Sequence, residues 1–324
     1  MPASLAGQTR SKQEMHNERI ESTNRTKTNR GSHHESNTET AQLSGVTERC
    51  VKIRLLRANS TERGEPEKPH ALVCNEVRGG DRKFIGTRKL LGIAAWVASI
   101  PITEGDGGGD LHFMSVCSHD LISRVALADV SGHGREVDAA AMTLHKLMRE
   151  NIDVWDQSDF MRGLNDTFNQ YGGGQYATAI VLSFHRLTGQ LAFSNAGHLP
   201  PLWYHASERA WGWLEEGDPA PRKAFGLPVG LIPGTDYCQT VVTLRRSDLL
   251  VLYTDGITDA ENGAGKALGR QQLMEWAREG PLESPTILGE QLLKRLSKFH
   301  LNRHNDDETL VVLQREEESA PISE

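Results

Sequence analysis

Four strand-like apolar runs of this chain begin or end on an aspartate, and that arrangement limits the fold more than any other feature. Val125-Ala126-Leu127-Ala128 runs straight into Asp129, and Leu249 to Thr254 runs into Asp255-Gly256. Gly107-Gly108-Gly109-Asp110 leads into Leu111–Val116, and Asn305-Asp306-Asp307-Glu308 opens Thr309–Gln314. Apolar runs of this length read as buried strands, which need cover from other layers of structure. An acid at the mouth of a buried strand is costly unless it is paired, hydrogen-bonded or bound to a metal. Far apart in sequence but each at a strand end, the four acids could converge on one site.

The rest of the pattern supplies the layers. Further short strands are expected at Ala71–Val77, at Leu90–Ile102 as one or two, and at Arg124–Val130. Glu136–Ile152 switches to helical spacing, with Val137, Ala140, Ala141, Leu144, Leu147 and Met148 on one face. Phe160, Met161, Leu164 and Phe168 repeat that spacing in a second helix, with Ser158 as its expected N-cap. Tyr176–Phe184 and Gln190–Asn195 form a hairpin around Arg186-Leu187-Thr188-Gly189. Leu199–Tyr204, Gln239–Leu244 and Leu249–Thr254 continue the strands, and helices near Gly269–Arg278 and Thr286–Phe299 precede a last strand at Thr309–Gln314. Many strands with two clustered helix pairs argue α+β, with sheets packed together and helices outside.

Composition decides where the folded part lies. The first 45 residues hold only Leu5, Ile20 and Leu43 from the large aliphatic set, and the first aromatic residue of the chain is Phe84. Such a segment cannot bury enough apolar surface to offset its conformational entropy. Residues 1–70 are therefore expected to be a disordered polar tail, 71–315 the folded domain and 316–324 a charged end. Lys plus Arg is 36 against 43 for Asp plus Glu, a formal charge of −7. A phosphate-binding nucleic-acid protein carries a basic excess, so nucleic acid is not an expected partner. Cys50, Cys74, Cys117 and Cys238 show no CxxC spacing, which excludes a zinc ribbon and points to a reducing compartment. With no long apolar run and no signal-peptide core, a cytoplasmic protein without membrane contact is expected.

Carboxylates without His or Cys partners select hard cations, Mg²⁺ or Mn²⁺. Two such ions a few ångströms apart activate a water and steady a phosphoryl group in transit. Taken singly, the motifs are weak: Asp-Gly after a strand is more often a turn, and Asp306-Asp307 more often a strand boundary. Their order and joint presence decide. GGD, DVSGHG at Asp129–Gly134, NAGHLPP at Asn195–Pro201, YTDGITDAEN at Tyr253–Asn262 and DDETLVVL at Asp306–Leu313 together resemble the SpoIIE-like serine phosphatases. That family is the bacterial branch of the metal-dependent, protein phosphatase 2C-like superfamily, and the resemblance spans roughly Ala71 to Gln314.

The resemblance implies an α-β-β-α sandwich of two mainly antiparallel sheets with a dinuclear Mn²⁺ or Mg²⁺ centre. It implies protein-serine/threonine phosphatase activity on a phosphoprotein, notably an anti-sigma-factor antagonist in a partner-switching pathway. Carried over by position, Asp110, Asp129, Asp255 and Asp306 are the metal-holding acids, and Val130 contributes its carbonyl. Asp307 sits where relatives carry Asp or Asn. The family's GGD is usually followed by two aromatics and another Asp, whereas Leu111-His112-Phe113 follows here.

Other residues carry less. His133 and His198 sit in motif positions, yet each more often shapes its loop by hydrogen bonds than shuttles protons. Asp259 is equally a second acid of the site or a helix-start acid. His300 and His304 have the i, i+4 spacing of a helical zinc pair, but no third ligand accompanies them in the pattern, so no metal is expected there. Cys117 and Cys238 lack the flanks of a phosphocysteine enzyme. Trp203, Trp211 and Trp213 read as part of a surface flap. Two rivals remain: a phosphatase-shaped module that binds a phosphoprotein without turnover, and a diguanylate-cyclase-like nucleotide enzyme. The first would lack a core acid, and all four are present. The second fails because Leu111 and His112, not Glu and Phe, follow Asp110, and no P-loop occurs.

Overall fold

Two six-stranded antiparallel sheets lie at the centre of the structure, with helices against their outer faces. The computed structural model describes residues 75–316 except 81, 103–107, 117–120, 133–134, 152–153, 155, 216–225 and 302. The expected tail, the strand start at 71–74, Cys50, Cys74, Cys117, His133 and the charged end beyond 316 lie outside the described residues.

In chain order the elements are β1 (Asn75–Gly79), β2 (Phe84–Leu90), β3 (Ile93–Ile100), β4 (Asp110–Val116) and β5 (Ile122–Val130). Then come α1 (Arg135–Glu150), α2 (Gln157–Tyr171), β6 (Ala177–His185), β7 (Gln190–Ala196), β8 (Leu202–His205) and β9 (Ala210–Trp213). The chain continues through β10 (Thr240–Thr243), β11 (Leu249–Tyr253), α3 (Asp255–Thr258), α4 (Gly269–Arg278), α5 (Pro285–Phe299) and β12 (Glu308–Arg315). One sheet runs β1-β4-β5-β6-β7-β10 and the other β2-β3-β12-β11-β8-β9. The α+β sandwich expected from the sequence is the fold observed.

Side-chain size explains the layering. On β5, Val125 and Leu127 enter the core between the sheets, where they meet Ile180 of β6, Val97 of β3 and Val311 of β12. Each such side chain, fully buried, stabilises the fold by about 1.5–3 kcal/mol. The other face of the same sheet carries Ala126, Ala128, Ala177 and Ala179 under Val137, Leu144 and Phe168 of the two outer helices. Small residues there let α1 and α2 settle close. On the far side, α4 and α5 cover the second sheet through Leu273, Leu288 and Leu292. Gly289 of α5 faces Trp96, and a Cβ at that glycine would stand 2.2 Å from the indole ring. The helix rests on the ring itself.

Helix α2 starts two residues earlier than the expected cap at Ser158. Asp156, not Ser158, is the N-cap: its carboxylate accepts from Ser158 N at 2.9 Å and Asp159 N at 3.2 Å. An ionised cap also complements the positive end of the helix, which a serine does not. The tryptophans form no flap. Trp203 lies on β8 against the inter-sheet core, while Trp211 and Trp213 on β9 pack toward the α4–α5 layer. The Arg270 guanidinium covers the Trp213 ring at 5.2 Å.

Candidate active site

Register places the first two acids side by side: Asp110 at the start of β4 pairs with Asp129 near the end of β5. The second sheet brings the others. Asp255 follows β11 directly as the first residue of α3, and Asp306 lies two residues before β12. Asp110 is 3% exposed and forms the floor, Asp129 is half-buried, and Asp255 and Asp306 open to solvent. The acids that the sequence singles out therefore line one graded cleft between the sheets.

Two residues outside the four expected ligands, Thr254 and Asp307, fix this geometry. Thr254 donates its hydroxyl to Asp110 Oδ2 at 2.8 Å and accepts from Thr309 N at 3.0 Å, tying the floor acid to β12. Asp307 accepts from Ile102 N at 2.7 Å and from Gly109 N at 2.6 Å, so its carboxylate clamps the loop that enters β4. Asp306 in turn accepts from Asp307 N at 2.9 Å. The glycines beside the acids are required by close approach. A Cβ on Gly109 would stand 2.8 Å from the Val130 carbonyl oxygen, and one on Gly256 would overlap the Asp307 carbonyl at 2.0 Å. Val130 N donates to Gly109 O at 3.0 Å, which holds the Val130 carbonyl at the same mouth.

Electrostatics shows how closely the acids meet. Burial first, and then the neighbouring Asp129, pushes Asp110 well above the usual carboxylate range. Asp129 is pushed up to about 7 by burial and by Asp255, Asp306 and Asp307. Asp255 is raised by partial desolvation, Asp306 and Asp259. Asp306 is raised by partial desolvation, Asp307 and Asp259. Among the described residues no lysine, arginine, histidine or cysteine acts on these four acids. Carboxylates crowded without a countercharge repel one another, and a cation relieves both the repulsion and the desolvation. The donors are all oxygen, which suits Mg²⁺ or Mn²⁺ and not a softer ion.

His198 lies beside the cluster, since its partner Thr178 pairs with Asp129 across β5 and β6. Its ring Nδ1 lies 3.0 Å from Thr178 Oγ1, its N–H donates to Asn195 Oδ1 at 2.7 Å, and its carbonyl accepts from Asn195 Nδ2 at 3.0 Å. Burial pulls its pKa down to about 4, so it is neutral near pH 7. Asp259 exerts charge on Asp255 and Asp306 from the exposed rim. Cys238 is half-buried.

The family model of Stage II sporulation protein E (SpoIIE) matches residues 123–316, well over half of the chain. The chain is 27% identical over 237 residues to phosphoserine phosphatase RsbU of Bacillus subtilis, covering 72% of this chain and 67% of RsbU. Among solved structures, the RsbU and RsbW domains of Rv1364c from Mycobacterium tuberculosis share its fold at a TM-score of 0.57 and 21% identity, over 75% of this chain and 65% of that one. RsbX, solved in complex with magnesium, gives a TM-score of 0.51 at 18% identity over 71% of this chain and 99% of that one. The chain thus spans about two thirds of the length of RsbU and of the Rv1364c structure. No described helix is long and apolar enough to cross a membrane. With the matched segment running from β5 through β12, the chain belongs to the SpoIIE family.

Proposed function

We infer that this chain hydrolyses phosphoserine or phosphothreonine on a regulatory protein, using two Mn²⁺ or Mg²⁺ ions held by Asp110, Asp129, Asp255 and Asp306 with the Val130 carbonyl. The observation that carries this reading is the meeting of four acids from both sheets with no countercharge among the described residues. The magnesium in RsbX and the phosphoserine activity in the name of RsbU support it. In this reading the catalytic domain runs over 71–315, and the chain works in the cytoplasm without nucleic-acid or membrane partners. The substrate is a phosphorylated anti-sigma-factor antagonist.

The residues divide the work by depth. Asp110, held by Thr254, gives a fixed anchor at the floor. Asp129 joins both sheets' acids and carries the most widely shared charge. Asp255 and Asp306 face solvent, where a phosphorylated side chain can reach them. Asp307 is committed to two backbone N–H groups and serves to position the loop before Asp110. When bound, the divalent ions supply positive charge for the phosphoryl group and a more acidic water. Neutral His198 supplies no proton near pH 7.

Release of phosphate from a phosphoserine peptide tests the reading. Turnover is expected to require Mn²⁺ or Mg²⁺, to stop with a chelator and to survive thiol alkylation. Chelator-resistant turnover lost on alkylation would replace the metal reading with a cysteine nucleophile.

A further inference from the structure

Three side chains outside the acid cluster meet where α5 ends. His300 is the C-cap of α5, His304 lies four residues on, and Glu308 opens β12. Their ligating atoms all lie within 4.8 Å of one another. His300 and Glu308 are deeply buried, at 1% and 2% side-chain exposure, while His304 keeps 30% and leaves a path from solvent. His300 Nε2 stands 3.4 Å from Glu308 Oε1, and His304 Nδ1 stands 2.9 Å from the same oxygen. Both ring nitrogens of His300 and the second oxygen of Glu308 are buried without a hydrogen-bond partner. His304 Nδ1 is close enough to Glu308 Oε1 to hydrogen-bond it, which offsets part of the cost of burying that carboxylate. Local spacing offers two histidines and no third donor. The fold supplies it, because the chain reverses after the helix through Leu301 at φ +55° and returns as β12.

We propose that His300, His304 and Glu308 form a second metal site, for a borderline transition-metal ion and zinc first of all, separate from the oxygen-only acid cluster. Two imidazoles, one carboxylate and a solvent-facing fourth position make a donor set that Zn²⁺ takes readily, whereas Mg²⁺ prefers oxygen alone. With metal–ligand bonds of about 2.0–2.1 Å, tetrahedral ligands lie about 3.3 Å apart. The two histidine–glutamate separations fall near that spacing. A cation would take one nitrogen of each imidazole and balance the charge of the buried carboxylate. Glu308 stands two residues after Asp306, so the ion would brace the connection that carries Asp306 and Asp307 into the cleft. It is a structural brace, distinct from the reacting centre.

The test counts metal and does not depend on phosphate release. The full chain, stripped with a chelator, is dialysed against micromolar Zn²⁺ with a large excess of Mg²⁺, and its zinc is measured by elemental analysis. Wild type and Asp255→Asn are expected to retain about one zinc per chain more than His304→Ala and Glu308→Gln. Zinc should also raise the melting temperature of wild type and leave that of His304→Ala unchanged. The half-exposed His304 and the shape-conserving Glu308→Gln keep the comparison on folded protein, checked by circular dichroism. Equal zinc in wild type and both site variants, no retained zinc, or zinc lost only in Asp255→Asn would each overturn the proposal.

Discussion

Asp129→Asn and Asp255→Asn are each expected to lower turnover at least about a hundredfold, roughly 2.7 kcal/mol of transition-state stabilisation. Asparagine keeps nearly the shape of aspartate and removes one negative charge. Two divalent cations would then be held with less compensation, so metal affinity falls and the reaction slows. Neither change should harm the fold, because each relieves repulsion among acids that already crowd one another. Steady-state rates at saturating Mn²⁺, with melting temperatures alongside, provide the check. Near-wild-type rates in both variants would make these acids structural.

The same crowding sets a pH dependence in the metal-free protein. Asp129 has a folded pKa of about 7 against an ordinary 3.8, and Asp110 is also raised. Between about pH 4 and 7 the folded state therefore binds more protons than the unfolded chain, and stability falls as pH rises through that window. Below it both states are protonated and the effect vanishes. His198 acts in the opposite direction, since its pKa of about 4 makes the folded state bind fewer protons than the unfolded chain up to about pH 6.5. Comparison with Asp129→Asn cancels that contribution. In chelator, Asp129→Asn is expected to melt several degrees above wild type at pH 8 and close to it at pH 4.5. In Mn²⁺ at pH 8 the order should reverse, because wild type then gains metal binding energy. A chelator-treated variant no more stable than wild type at pH 8 would mean the acids do not repel.

Much of this was readable because it is local. The β6–β7 hairpin shows in its apolar runs and turn residues, and α4 occupies Gly269–Arg278 as its spacing indicates. Edge elements were harder. Strand β2 lies at the rim of its sheet, where Ile85 is 46% exposed and the alternation is diluted by Lys, Arg and Thr. Strand β9 has four residues and among the described residues pairs only with β8, so its Ala-Trp-Gly-Trp run gives no period to read. Helix α3 is a single turn whose sequence reads equally as an Asp-Gly loop. At the site, the four acids are visible as motifs, but the clamp is not. Asp307 reaches Gly109 across 198 residues of sequence, and Thr254 reaches Asp110 across 144. Glu308 joins His300 and His304 for the same reason: the fold, not the spacing, makes them neighbours.

Whether the cleft acids hold divalent cations is tested without substrate by Mn²⁺ binding followed by electron paramagnetic resonance. Free Mn²⁺ gives a sharp signal that fades on binding, so a titration of the full chain counts ions and their affinity directly. Wild type is expected to bind two Mn²⁺ ions in the cleft, and Asp129→Asn and Asp255→Asn to bind them at least about tenfold more weakly. Binding of the same number at the same affinity in wild type and both variants would contradict cation binding by these acids.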